Sequence, residues 1–256
     1  MTIREHFEST GNWLFRRRGS LPVIALSPFL LVALQQAEYF ERVWGDDFQT
    51  VWEITCITIS CLGLAIRCIT LGWIHEGTSG RNTKEQLADQ LNTDGMYSVM
   101  RHPLSAGNFL IILGFALFVQ VGWFVMITVL LFGIFYERIV FAEEEFLLRK
   151  FGNAYVRWAK AIPAFIPGFR AWQKPDREFS FRRVLKREYS TFLGIIAGFI
   201  ILKILANFLG EQEIEFKPLW LLPLLIGGGV YLLLRYLRKK TDFLQTTPSC
   251  VPRKYP

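Results

Sequence analysis

Long runs of apolar residues, separated by short polar segments, dominate the pattern along this chain. The longest run, residues 107–136, contains no Asp, Glu, Lys or Arg. The other apolar runs cover residues 21–34, 51–74, 189–209 and 219–234, with Glu53, Arg67 and Lys203 as their charged members. A bilayer core about 30 Å thick is crossed by about 20 apolar helical residues. The pattern therefore predicts an all-α, polytopic membrane helix bundle.

The run 107–136 is long enough for two helices that turn near residues 120–122, and a single tilted span is the alternative. The distribution of Lys and Arg favours two helices, because basic segments stay in the cytoplasm. Residues 75–103 hold three basic residues and residues 138–188 hold twelve. If both segments are cytoplasmic, the chain crosses the membrane an even number of times between them. We therefore expect a central helical hairpin, about six transmembrane helices and both termini in the cytoplasm, and in a bacterium the membrane would be the inner one.

Composition changes this picture little, but it excludes several classes of protein. The 256 residues are 52% hydrophobic, which excludes a disordered chain, and four Cys are too few for a disulfide scaffold. The net charge of +7 arises from basic residues that flank the predicted spans. We therefore expect these residues to contact anionic lipid, and we expect no nucleic-acid partner. Three scattered His give no metal-ligand spacing, so no metal is predicted.

Two polar clusters bracket the predicted hairpin. Arg101 and His102 precede Pro103, and three consecutive acids begin at Glu143. In one straight helix His102 and Glu143 would lie about 60 Å apart, whereas a hairpin returns them to the same membrane face. We therefore expect a charged pocket at the cytoplasmic boundary. The alternative is a basic pair that anchors a helix at the interface and an acidic helix segment that faces solvent.

These clusters carry a family resemblance. The pattern GxYxxxRHP, followed after the hairpin by EExxLxxxFGxxYxxW and a Pro, resembles the isoprenylcysteine carboxyl methyltransferase and phospholipid methyltransferase superfamily. The resemblance covers residues 91–167, the expected methyltransferase core. Residues 1–90 then form an N-terminal two-span region with a polar arm, and residues 168–256 form a basic cytoplasmic linker with two C-terminal spans. Ser105 departs from the family, which often has an aromatic residue at that position.

The resemblance implies an integral-membrane enzyme that uses S-adenosylmethionine. It assigns catalytic roles to Arg101, His102 and Glu143. The implied cofactor-binding residues are Gly95, Tyr97, His102, Pro103, Gly107, Glu143, Glu144, Tyr155 and Pro163. The chemistry agrees, because Arg and His suit the cofactor's carboxylate and Glu suits its ammonium. The segment around residues 155–163 is expected to form a cytoplasmic lid with the adenine slot.

The methyl acceptor is expected to be an anionic lipid headgroup. The polar arm, residues 75–94, is rich in Gly and hydroxyl groups near its start, and such a loop can form an anion-binding nest. Ser79 and Arg81 of this arm, with Arg67 in the preceding span, are the predicted substrate-binding residues. The arm resembles a bacterial branch that looks like lipid A phosphate methyltransferases, which makes a lipid A phosphate the best single guess.

Several alternatives remain open at this point. A phosphatidylethanolamine N-methyltransferase and an isoprenylcysteine carboxyl methyltransferase share the same motifs. Sterol reductases resemble the superfamily in part but bind a nicotinamide dinucleotide and are usually longer. A non-catalytic membrane adaptor or transporter would bind no cofactor.

Overall fold

The computed structural model describes residues 2–36, 38–74, 86, 88–209, 227–229, 231, 232 and 236. This part of the chain is helical and contains no strand, so the predicted all-α class is confirmed. Its helices are α1 (Ile3–Arg17), α2 (Leu21–Gln36), α3 (Glu38–Trp73), α4 (Pro103–Phe118), α5 (Gly122–Phe151), α6 (Asn153–Ala161) and α7 (Phe181–Leu209).

Three of these helices are long and apolar enough to cross a membrane. They are the part of α3 from Phe48–Trp73, α5 and α7. Helices α1 and α2 meet the same test only as a pair, which is bent by 76° at residues 18–20. Helix α4 has 16 residues and is about 24 Å long, shorter than a bilayer core. The described residues thus give three or four candidate spans where about six were expected, and most of the run 219–234 lies outside them.

The predicted hairpin is confirmed. Helix α4 ends at Phe118 and α5 begins at Gly122, so the turn lies where the sequence placed it. Gln120 adopts a φ of 62° in this turn, and its N–H donates to the carbonyl of Leu117 at 3.0 Å. Helix α5 has 30 residues and is about 45 Å long, which exceeds the bilayer core. The start of α4 and the far end of α5 therefore meet at one face of the bundle.

Helices α3 and α4 approach closely because small residues line their contact. A Cβ atom added to Gly107 would lie 2.6 Å from Cγ of Arg67 and 2.7 Å from the carbonyl oxygen of Gly63. One turn further along α4, the Ser60 hydroxyl of α3 donates to the Ile111 carbonyl at 3.1 Å. Such contacts let helix backbones approach in a membrane. They also hold Arg67 against the start of α4.

Helix α1, which the sequence analysis did not predict, packs along the C-terminal part of α5. Arg4 donates to Glu145 at 2.5 Å, and Arg149 donates to Glu8 at 2.6 Å. A capping box formed by Thr2 and Glu5 starts the helix. The bend after α1 then brings the residues between α1 and α2 to the same end of the bundle as the start of α4.

Candidate functional site

A cavity of about 530 Å³ opens where the start of α4 faces the end of α5. Residues of α3, α6 and α7, the corner between α1 and α2, and the segment before α4 complete its wall. This volume lies within the range of pockets that bind small molecules and cofactors. The charged and polar side chains on the wall are those of Arg18, Arg67, Gln86, Gln90, Asn92, Tyr97, Arg101, His102, Ser105, Asn108, Tyr136, Glu143, Trp158, Arg187, Glu188 and Thr191.

His102 lies between two carboxylates at one end of this cavity. Its Nε2 atom is 3.0 Å from Oε1 of Glu144, and its Nδ1 atom is 3.6 Å from Oε2 of Glu143. Arg101 Nη1 donates to the same Oε1 atom of Glu144 at 2.7 Å. Burial lowers the pKa of His102, but the hydrogen bonds and charges of the two glutamates outweigh burial and raise it above its usual value. The hairpin thus joins the two motifs through the imidazole of His102, whose protonated form the two carboxylates favour.

The three consecutive glutamates point in different directions. Glu143 lines the cavity, and Glu144 bridges Arg101 and His102. Glu145 instead pairs with Arg4 of α1. Successive helical residues are rotated by about 100°, so three neighbours cannot share one face. Two of the acids therefore serve the site, and the third attaches α1.

The segment that carries the first motif is held by backbone hydrogen bonds. The N–H groups of Arg101 and His102 donate to the carbonyls of Pro163 and Ala164 at 2.9 and 3.1 Å. The N–H of Gly95 donates to the carbonyl of Gln173 at 3.0 Å, and Gly95 has a φ of 56°, which favours glycine. The chain that follows α6 thus fixes the position of the motif. Pro163 contributes its carbonyl, and its side chain is exposed.

Two buried polar atoms beside His102 have no hydrogen-bond partner in the part of the chain that the structure describes. They are Nε of Arg101 and the hydroxyl of Tyr155. Burial, and then the charge of Glu144, raise the pKa of Tyr155 to about 12, so its hydroxyl keeps its proton. Buried polar groups are normally satisfied, and an exception indicates a functional site or a bound group. Of the two, Arg101 lines the cavity, and its Nε donor suits an anionic group of a ligand.

A second polar network lies deeper in the bundle, on the wall of the same cavity. Arg67 donates from Nε and Nη2 to the two carboxylate oxygens of Glu188 at 3.0 and 2.6 Å. Its Nη1 atom donates to Asn108, and Asn108 donates to the Tyr136 hydroxyl at 2.8 Å. This network joins α3, α4, α5 and α7. The guanidinium of Arg67, a predicted ligand of the substrate, is therefore already paired.

The structure separates the predicted site residues into three groups. Tyr97, Arg101, His102, Pro103, Glu143 and Arg67 line the cavity. Gly95, Gly107, Glu144, Tyr155 and Pro163 are absent from its wall and act on it through packing or hydrogen bonds. Ser79 and Arg81 lie outside the described residues.

Sequence reasoning missed Asn108, Tyr136, Glu188 and Arg18 as residues of the cavity wall. Asn108 and Tyr136 are polar members of the uncharged run, and Glu188 directly precedes the run 189–209. Polar groups in such places usually have a purpose, which was the available signal. Arg18 was treated only as part of a basic flank.

Among the described residues, no three His, Cys, Asp or Glu side chains come together as a metal site would require. No solved structure matches this chain. The chain is 31% identical to the nickel-cobalt-cadmium resistance protein NccN of Alcaligenes xylosoxydans xylosoxydans, over 61% of this chain and 67% of that protein. It is 30% identical to the cobalt-zinc-cadmium resistance protein CzcN of Cupriavidus metallidurans, over 43% of this chain and 49% of that protein.

A third relative and a family match address the chemistry. The chain is 32% identical to the protein-S-isoprenylcysteine O-methyltransferase of Schizosaccharomyces pombe, over 46% of this chain and 50% of that protein. The matches thus span about half of two of the three relatives. Residues 54–154, which carry the first motif and the second as far as Gly152, match the phospholipid methyltransferase family. The chain therefore belongs to the integral-membrane superfamily of isoprenylcysteine carboxyl methyltransferases and phospholipid methyltransferases.

Proposed function

We propose that this protein is an S-adenosylmethionine-dependent membrane methyltransferase that methylates an anionic oxygen of a lipid headgroup. The observation that carries the proposal is the cluster of Arg101, His102 and Glu144 at one end of a cavity inside a membrane helix bundle. Membership of the superfamily supports the class of reaction. The basic segments before α4 and after α5 favour the cytoplasmic face as the place where it occurs.

The residues at this end of the cavity suit the charged groups of the cofactor. Arg101 lines the cavity and its buried Nε donor has no partner among the described residues, which suits the carboxylate. Glu143 faces the cavity and suits the ammonium. When bound, S-adenosylmethionine supplies an activated methyl group on its sulfonium. The protein then has to align the two reactants and exclude water.

The state of His102 favours an oxygen acceptor. The two glutamates raise the pKa of His102 and so favour its protonated form, in which the imidazole cannot accept a proton as a general base. An amine acceptor must lose a proton before methylation, whereas a phosphate or carboxylate oxygen is already ionised. The wall of the cavity carries four arginines and two glutamates, which favours an anion over an ammonium headgroup.

Within this class, a lipid A phosphate remains the specific prediction. An isoprenylcysteine carboxylate, the acceptor named in the yeast relative, has the same ionised oxygen. Phosphatidylethanolamine is the less favoured acceptor for the reasons above. Two of the relatives are named as metal-resistance proteins. The described residues of this chain contain no cluster of metal-ligating side chains.

The test uses purified protein in lipid nanodiscs with labelled S-adenosylmethionine and a total membrane lipid extract. We expect label on one lipid class, with mass spectrometry placing a single methyl group on a phosphate or carboxylate. His102→Ala is expected to remove the activity, and Glu145→Gln, which removes the pair with Arg4 outside the cavity, is expected to retain it. Label found only on an amine lipid or only on protein would overturn the acceptor class. Binding of NADPH in place of S-adenosylmethionine would overturn the reaction itself.

A further inference from the structure

We propose that the hydroxyl of Tyr136 donates a hydrogen bond to the anionic oxygen that receives the methyl group. This inference rests on the proposed function and identifies a residue that selects and orients the acceptor. The sequence analysis assigned the acceptor to Arg67, Ser79 and Arg81. The guanidinium of Arg67 is already paired with Glu188, and the structure offers a donor at the other end of the network to which Arg67 belongs.

Chemistry fixes the direction of the hydrogen bonds in this network. A guanidinium can only donate, so the amide oxygen of Asn108 must accept from Arg67. The amide nitrogen of Asn108 can only donate, and it lies 2.8 Å from the hydroxyl oxygen of Tyr136. The Tyr136 oxygen is therefore the acceptor in this bond, and the hydrogen of its own hydroxyl is not used. Within the described residues, Tyr136 makes no second hydrogen bond that would use it.

The remaining hydrogen of Tyr136 belongs to a buried and well-fixed side chain. Tyr136 lines the cavity and is only 6% exposed. Its ring stacks on that of Phe132, with the ring centres 3.9 Å apart and the planes 15° from parallel. A buried polar hydrogen is normally satisfied, so we expect a group inside the cavity to accept this one.

The position of Tyr136 along α5 suits the acceptor and not the amino-acid end of the cofactor. Tyr136 lies seven residues before Glu143, which is two helical turns or about 10 Å along the axis and on the same face of α5. Glu143 belongs to the end of the cavity that suits the cofactor's charged groups. A short carbon chain separates those groups from the sulfonium, and an attacking oxygen lies about 3 Å beyond the methyl carbon. The acceptor is therefore expected further into the cavity, where Tyr136 lies.

A phenol hydrogen suits an oxygen that has to react. Hydrogen bonds to a charged acceptor are stronger than neutral ones, so the hydroxyl can orient a phosphate or carboxylate oxygen and leave its negative charge in place. That oxygen forms its bond to the methyl carbon as the carbon–sulfur bond breaks, the electron pair stays on sulfur, and no proton has to leave. An ammonium group has no lone pair to accept the hydrogen, so the same hydroxyl selects an oxygen acceptor over an ammonium headgroup.

The experiment measures equilibrium binding by calorimetry on the full chain in nanodiscs. The first ligand is S-adenosylmethionine, and the probes added to the saturated protein are hexyl phosphate and heptanoate. Both probes carry an anionic oxygen on a short apolar chain, and they distinguish the two sources of such an oxygen. We expect the wild type to bind at least one of them, and the tighter of the two indicates whether the acceptor is a phosphate or a carboxylate.

Tyr136→Phe removes the hydroxyl and keeps the ring that stacks on Phe132. It is expected to weaken binding of the tighter probe about tenfold, the loss of one hydrogen bond to a charged group, and to leave the affinity for S-adenosylmethionine unchanged. The matched control is Thr128→Val, which removes a buried hydroxyl from the same helix but outside the wall of the main cavity. The Thr128 hydroxyl donates to the carbonyl of Phe124 at 2.8 Å, and we expect this variant to bind both ligands like the wild type.

Asn108→Asp tests the same hydrogen without changing Tyr136. A carboxylate can only accept, so the hydroxyl of Tyr136 would turn its hydrogen towards the new side chain and away from the cavity. We expect binding of the tighter probe to weaken about tenfold or more, since the added charge also repels an anion. Adding Tyr136→Phe to this variant is expected to cause no further loss, because the hydrogen is already withdrawn.

Each contrary result has a separate meaning. Wild-type affinity for the probe in Tyr136→Phe, or an equal loss in Thr128→Val, would overturn the role of the hydroxyl. A further tenfold loss when Tyr136→Phe is added to Asn108→Asp would overturn the direction assigned to its hydrogen. A parallel loss of S-adenosylmethionine binding in Tyr136→Phe would show a structural role and would also overturn the inference. Failure of the wild type to bind S-adenosylmethionine would instead overturn the proposed function, whereas a wild type that binds the cofactor and neither anion would overturn this inference alone.

Discussion

Replacement of Glu144 by Gln tests the central contact of the site. In the wild type, one carboxylate oxygen of Glu144 lies 2.7 Å from Arg101 Nη1 and 3.0 Å from His102 Nε2. An amide oxygen can still accept a hydrogen bond, but it brings no negative charge. The variant therefore retains the shape of the site and leaves two neighbouring cations without their shared counterion.

The magnitude follows from the two bonds. A hydrogen bond that involves a charged group contributes about 1.5–3 kcal/mol. Since the donors are unchanged and only the acceptor loses its charge, each bond loses about 1 kcal/mol of this, and the two together about 2 kcal/mol. The side chains of Arg101 and Glu144 are 20% and 29% exposed, and solvent screening lowers this to about 1–2 kcal/mol. The pKa of His102 is also expected to fall, because the hydrogen bond and charge of Glu144 help to raise it.

The assay combines reversible unfolding in mixed detergent micelles with an NMR titration of the His102 ring. The matched control is Glu145→Gln, which removes the neighbouring carboxylate together with its pair to the exposed Arg4. We expect Glu145→Gln to leave the titration of His102 unchanged and to have little effect on stability. Equal stability losses in the two variants, or an unchanged His102 titration in Glu144→Gln, would refute the reasoning.

Three further predictions concern pH and packing. Because the pKa of His102 is raised in the folded state, protonation of His102 stabilises the fold below its usual unfolded pKa of about 6.5, and this stabilisation is lost as pH rises through the folded pKa. Free energies of unfolding measured across this range should show the decline. His102→Gln should remove this dependence on pH. Glu188→Leu leaves the guanidinium of Arg67 buried without its partner and should cost about 3–5 kcal/mol in the same unfolding assay, while the double variant with Arg67→Met should recover most of the loss. Gly107→Leu forces a side chain into the contact between α3 and α4 and should cost about 1–3 kcal/mol, whereas Gly133→Ala, where an added Cβ meets no atom within 4 Å, should leave stability unchanged or slightly raised.

Hydrophobic pattern and charge bias were sufficient to predict the hairpin and the meeting of its two motifs. The uncharged run predicted the position of the turn between α4 and α5. The two basic segments required an even number of membrane crossings between them. The result was a correct expectation that His102 and the glutamates after α5 share one end of the bundle. The described residues give three or four candidate spans, and the count of about six is not confirmed, because apolar length alone does not show that α4 is only 16 residues long or that α1 and α2 are bent.

Whether the missed residues face the cavity depends on how the helices are rotated against one another. Arg67 and Glu188 are 121 positions apart, and neither pattern nor spacing shows that their faces meet. Arg18 follows two other arginines, and a basic flank is explained by topology alone. The bend between α1 and α2 selects which of the three faces the cavity, and this bend depends on the packing of α1 against α5.

The backbone attachment of the Arg101–His102 segment has a consequence for comparing relatives. Because the carbonyls of Pro163 and Ala164 accept the bonds, many different side chains at these two positions would preserve the attachment. We expect the number of residues between α6 and Gly168 to vary less among homologues than the amino acids themselves. An insertion or deletion there would shift the register of the carbonyls and misplace the imidazole even where every recognised motif is intact.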